Sequence, residues 1–171
     1  MEKRTVLTAT AITAGLLSAG CGDEEEPLTK AEFIEQADAI CAATNEEIEP
    51  VYDAIWAGYE DVDQEYPAVH EDIFRRWSDG MDDLAPIVAA QLDDIDDLPP
   101  PADDQDFVDE VLAAQRADLE AFVEIVHAAA DGDESARQAM ETADPFVESD
   151  RQLQAYGLEV CGRQDLSLIH I

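Results

Sequence analysis

The chain has 171 residues, 46% of them hydrophobic, which suits a single domain with its own core. Its 42 acids outnumber 9 bases and leave a formal net charge of -33. That balance excludes a nucleic-acid binder of the usual kind, which needs a basic footprint on phosphate, and disfavours electrostatic attachment to anionic lipid.

The first residues read as a leader. Lys3 and Arg4 give a positive start, and Thr5 to Gly20 is apolar or small throughout. The stretch has the plan of a secretory signal and is short for a bilayer span. Acids interrupt every later apolar run, so no other segment is expected to span. The leader ends on Ala19-Gly20 directly before Cys21. Small residues placed before a cysteine resemble the lipobox of bacterial lipoproteins. The commonest form of that motif has Leu three residues before the cysteine; here Ser18 holds that place and Leu17 lies one further back. The resemblance implies cleavage after residue 20, acylation of the Cys21 sulfur, and a chain held on the outer side of the cell membrane. Acyl chains contribute about 0.8 kcal/mol per buried CH₂, so two or three of them hold a protein firmly. Residues 21–28 then form a tether, whose consecutive acids Asp23 to Glu26 extend by self-repulsion. Removing the leader takes away Glu2, Lys3 and Arg4 and makes the remainder more negative by one charge.

With Cys21 committed to lipid, Cys41 and Cys161 are left. In an oxidising compartment an even pair reads as a disulfide. It would close most of the mature chain into one loop, for which chain entropy gives about 4–5 kcal/mol. The alternative is a pair of free, redox-active thiols, although no Cys-x-x-Cys spacing accompanies them.

Residues 29–162 read as a body of four helices. The first opens at Thr29-Lys-Ala-Glu32, the spacing of a capping box. Its apolar stripe is Phe33, Ala37, Ile40, Thr44, Ile48, Val51, Ile55 and Tyr59, in phase through Pro50, where a kink is expected. Pro67 opens the second, with Val69, Ile73, Trp77, Met81, Leu84, Val88, Leu92 and Ile95 inward. Gly80 and Pro86 lie within it, and Pro99-Pro100-Pro101 stops it. The third starts near Asp103 or Asp104, where acids complement the helix dipole. It turns Val108, Val111, Leu112, Leu119, Phe122, Val126 and Ala129 inward and ends at Asp131-Gly132-Asp133. The fourth is expected from Glu134 to Tyr156, through Pro145, with Ala139, Ala143, Phe146, Val147 and Leu153 inward. Gly157 caps it, and Leu158 to Cys161 folds onto the body. No segment alternates with period two.

The expected fold is therefore all-α: an antiparallel up-down-up-down four-helix bundle with kinked helices and one disulfide. The stretches FIEQADAICAATNEEI and YGLEVCG resemble small helical secreted proteins and lipoproteins of high-GC Gram-positive bacteria, with one cysteine in the first helix and one near the end. That resemblance implies a disulfide-tied helical bundle and brings no catalytic residues. The tail, residues 163–171, ends in Leu166-Ser-Leu-Ile-His-Ile171. This string matches the translation of a transposon-end adapter used to prepare DNA libraries. Residues 166–171 read as a sequencing artefact, the alternative being an apolar tail docked on the bundle, and His170 carries no functional weight.

Few constellations carry chemistry. Glu124-x-x-His127 has the spacing of one half of a carboxylate-bridged di-iron set, but that set needs a second such pair and two more Glu. Glu124 and His127 are thus weak metal candidates beside the alternative of solvated side chains. Asp93, Asp94, Asp96, Asp97, Asp103, Asp104 and Asp106 crowd the triple proline without the spacing of a calcium loop. No nucleophile elbow or phosphate-binding glycine loop appears, no cofactor is indicated, and an enzyme is not expected. The sequence reads as a lipid-anchored binding or interaction module of the cell envelope, taking an envelope protein or a small ligand as partner. A cation- or metal-binding lipoprotein is the alternative. The acidity points to saline surroundings, with a surface adapted to solubility alone as the rival reading.

Overall fold

The computed structural model describes residues 26–57, 67–142 and 146–163. The leader, Cys21 and the first part of the tether lie outside them, as do Tyr59, Ala143, Pro145 and the tail from residue 164. Among the described residues the chain is all-helical. The elements are α1 Lys30–Trp56, α2 Pro67–Asp96, α3 Gln105–Ala130, α4 Glu134–Thr142, α5 Val147–Tyr156 and a 3-10 turn Cys161–Arg163.

The start of α1 is fixed by the expected capping box. Thr29 Oγ1 accepts the Glu32 amide at 3.3 Å, and the Glu32 carboxylate accepts the Thr29 amide at 3.0 Å. The Thr29 hydroxyl, and after it the Thr29 backbone amide, hold the Glu32 carboxyl below its usual range. The helix passes through Pro50, which is exposed, and buries Phe33, Ala37, Cys41, Thr44, Ile48 and Ile55. Among the described side chains of α2 the buried apolar residues are Phe74, Trp77, Met81, Leu84, Val88, Leu92 and Ile95; Ile73, expected inward, is half-buried, and the Val69 side chain lies outside those described. Gly80 admits Ile55 of α1 against the α2 backbone; a Cβ there would overlap Ile55 Cδ1. Helix α3 buries each of its seven expected apolar positions, and Gln115 with them.

The helix ends show how an acidic chain satisfies its terminal carbonyls. Neither α1 nor α2 has a basic residue in its last turn. Each borrows an arginine from the helix that follows. Arg76 of α2 donates to the carbonyl of Ala57 at 2.7 Å, just past α1. Arg116 of α3 reaches the Leu92 carbonyl at 3.4 Å and the Asp93 and Asp96 carboxylates at 3.0 Å. Arg137 of α4 donates through Nε to the Ala129 carbonyl at 2.9 Å. A cation at a helix C-terminus also opposes the negative end of the dipole.

The expected fourth helix is two helices, α4 and α5. Residues 143–145 between them lie outside the described residues, and Phe146 stands before α5 as its N-cap. The change of element resets the helical phase. Phe146 and Leu153 are buried as expected, but Val147 is 62% exposed, against the inward position expected for it. In α4 the buried positions are Ala136 and Met140, with Ala139 only half-buried. The Asp133 carboxylate caps α4 by accepting the amides of Ser135 at 2.8 Å and Ala136 at 3.2 Å.

Two apolar clusters make the core. One gathers Ile48, Ile55, Phe74, Trp77, Met81, Leu84, Val88, Leu119, Phe122, Val126, Met140 and Phe146. The other gathers Phe33, Cys41, Leu92, Ile95, Val108, Leu112, Leu153, Leu158 and Cys161. Gly157 closes α5 in the left-handed region, at φ 118°. The following segment turns onto α1, where Cys161 is joined to Cys41 with an S–S length of 2.06 Å and Cα atoms 5.2 Å apart.

Candidate functional site

Cys21, the expected lipid attachment, lies outside the described residues. The described chain enters α1 a few residues later, and the Leu28 amide donates to the Pro99 carbonyl at 2.9 Å, pinning that entry to the α2–α3 connection.

The disulfide belongs to a larger fastening. The Asp38 carboxylate, one turn before Cys41, accepts the amides of Glu159 at 3.1 Å, Val160 at 2.9 Å and Cys161 at 3.1 Å. These amides open the 3-10 turn and have no helical carbonyl to serve them, so one carboxylate satisfies all three. Beside them, Tyr156 donates its hydroxyl to Asp104 at 2.8 Å. Its ring stacks on Phe107 at 4.9 Å and meets Phe33 edge-on at 6.2 Å. Lys30 Nζ sits 3.7 Å from the ring centroid, a cation–π contact. Burial, and then Asp104, push the phenol above its ordinary range. Behind this group lies an apolar cavity of about 10 Å³ lined by Phe33, Phe107, Leu112, Gln115 and Cys161 among others. That is room for about one water.

The aspartate-rich stretch is partly spent on structure. Asp93 and Asp96 bind Arg116, and Asp104 accepts from Tyr156. Among the described residues no three His, Cys, Asp or Glu side chains converge as a metal-ligand set. Glu124 is exposed. His127 faces Asp82 on α2, with Nε2 3.6 Å from Oδ1. That nitrogen is sealed from solvent and makes no hydrogen bond.

Every lysine and arginine among the described residues is engaged. Arg75 pairs with Asp72, Arg151 with Glu148 at 2.5 Å, and Arg163 with Glu159 at 2.8 Å. Lys30, Arg76, Arg116 and Arg137 are held as above. The surface carboxylates that remain give the body an anionic exterior.

Sequence reasoning missed Asp38, Asp82 and the arginine caps. Asp38 meets residues more than 120 positions away, and such a pairing leaves no periodic trace. No helix among the described residues is long and apolar enough to cross a membrane. No family model, curated protein or solved structure matches the chain.

Proposed function

We propose that this chain is a lipid-anchored, extracytoplasmic helical module of the cell envelope that binds a cationic partner. The observation that carries the reading is the buried Cys41–Cys161 disulfide, since such bonds persist in oxidising compartments. The address is supplied by the leader and the small residues before Cys21. The helices are inferred to form an up-down-up-down bundle, with α4 and α5 together as its fourth arm. Contacts of Ile55 with Arg76, of Leu92 with Arg116 and of Asp104 with Tyr156 support that arrangement. Thr29 lies eight positions after Cys21, a reach of about 28 Å when extended. The body therefore works close to the membrane. Its bases are spent on helix ends and local pairs, so the partner surface it favours is basic.

The anchor is tested by detergent phase separation of the chain expressed in a lipoprotein-processing bacterium. The wild-type chain enters the detergent phase, and Cys21→Ser stays in the aqueous phase. Both chains in the aqueous phase would sink the anchored reading. A second reading, a cation- or metal-binding envelope lipoprotein, is favoured by the His127–Asp82 pair. It requires saturable metal binding below millimolar concentration.

A further inference from the structure

The buried polar side chains among the described residues are Thr44, Gln91, Gln115 and Ser149. One lies on each of α1, α2, α3 and α5. Each stands where its helix passes from one apolar cluster of the core to the other. On α1, Thr44 falls between Cys41 of the disulfide cluster and Ile48 of the other cluster. Gln91 falls between Val88 and Leu92, Gln115 between Leu112 and Leu119, and Ser149 between Phe146 and Leu153. Arg116 on the Leu92 carbonyl at 3.4 Å and Ser149 on Asp118 at 2.9 Å place the members on α2, α3 and α5 at one level. Asp118 is only half-buried, so the layer reaches solvent.

The two sides of this layer are fastened unequally. One side holds the Cys41–Cys161 bond, the three amides on Asp38, and the Tyr156–Asp104 hydrogen bond. The other side has none of these. There α1 and α2 each contain a proline, Pro50 and Pro86, which removes a helical N–H from each. The α1 backbone comes within 8 Å of only two other described elements, α2 and the 3-10 turn, and that turn belongs to the disulfide side. Apolar side chains cooperate by sharing contacts within one continuous cluster. A polar layer interrupts that sharing, and its groups recover hydration when the core beside them opens.

We infer that the polar layer divides the fold into two cooperative units, and that the unit without the disulfide opens by itself while the disulfide unit stays closed. Local opening of this kind follows low contact and weak fastening. It bares Phe74, Trp77 and Phe122, an apolar surface that the closed molecule hides. The inference does not depend on the lipid anchor. If the anchor holds, Thr29 and the disulfide unit lie nearest the membrane, and the unit that opens points away from it.

Native-state hydrogen exchange of the oxidised full chain in low, sub-denaturing urea tests the division. Amides of residues 77–84 and 119–126 are expected to exchange sooner, and with a weaker urea dependence, than those of residues 37–41 and 108–112. Leu112→Ala gives the sharper result. It destabilises only the disulfide unit, so protection at residues 37–41 falls by about thirtyfold or more while exchange at 77–84 stays unchanged. Val111→Ala makes the same cut more gently and shows the same asymmetry. Gln115→Leu, which extends apolar packing through the layer, narrows the difference between the two sets of amides. One common protection level and urea dependence in the wild-type chain overturns the inference. So does a Leu112→Ala or Val111→Ala effect that spreads equally to residues 77–84. An undiminished difference in Gln115→Leu overturns the layer as the boundary.

Discussion

Removing the disulfide is the perturbation whose size follows most directly from the structure. Cys41 and Cys161 are 120 positions apart, so the bond confines nearly the whole folded body of the chain. Chain entropy for such a loop gives about 16 cal/mol/K, or about 4.9 kcal/mol at 25 °C. A domain of this kind has roughly 5–15 kcal/mol in total, so the bond is a large share of it. The folded side changes less, because Asp38 still holds the amides of residues 159–161 against α1. Cys41→Ala/Cys161→Ala should therefore keep its helical circular dichroism in dilute buffer yet unfold much earlier in urea. With a urea slope of about 2 kcal/mol per molar, the midpoint falls by about 2.5 M. Reduced wild-type chain, which keeps both sulfurs, should match it closely. A loss below about 1 kcal/mol in both samples would refute the loop-entropy argument.

Asp38→Ala removes the single acceptor of three amides. Partial exposure lets water replace some of the loss, and about 2 kcal/mol is expected from hydrogen bonds to a charged group. Hydrogen exchange reads this out as lost protection at Glu159, Val160 and Cys161; unchanged protection would contradict the fastening. Stability should also fall on acidification below the ordinary carboxylate range. Hydrogen bonds from Arg151 and then Gln152 lower the Glu148 carboxyl from 4.5 to about 2, and the caps at Glu32 and Asp133 are lowered as well. Depressed carboxyls stabilise the fold above their unfolded pKa, and this is lost as pH falls from about 4.5 towards 2. A urea midpoint that stays constant through that window would count against these caps. Added NaCl should raise the thermal midpoint, because screening falls from about 30 Å at 0.01 M to about 3 Å at 1 M. A flat or falling midpoint would show that self-repulsion among the carboxylates is not a significant cost.

Helical periodicity made α1, α2 and α3 legible. The stripe from Val108 to Ala129 is buried at every expected apolar position, because each helix packs one continuous face. Thr29 and Gly157 were legible for a different reason: caps are local chemistry, complete within a few residues. Val147 was misplaced because one period was carried from α4 into α5, which are separate helices. Gln115 escaped notice because a polar side chain inside an apolar stripe gives no periodic signal. The cysteine pair was readable by parity once Cys21 was assigned to lipid. The Asp38 fastening and the facing of Asp82 to His127 were not, since each joins residues that only the folded chain brings together. Glu124 was drawn into the candidate site by its spacing, whereas the partner of His127 lies on another helix.

The central claim is that Cys21 is the processed, lipidated start of a body closed by an oxidised Cys41–Cys161 bond. Mass spectrometry of the chain isolated from membranes of its native host tests this most directly, using unreduced peptides. The account predicts an N-terminal peptide beginning at diacylated Cys21, with residues 1–20 gone, and a linked peptide pair containing Cys41 and Cys161. A chain that keeps its leader, carries an unmodified Cys21, or yields Cys41 and Cys161 as free thiols would contradict it.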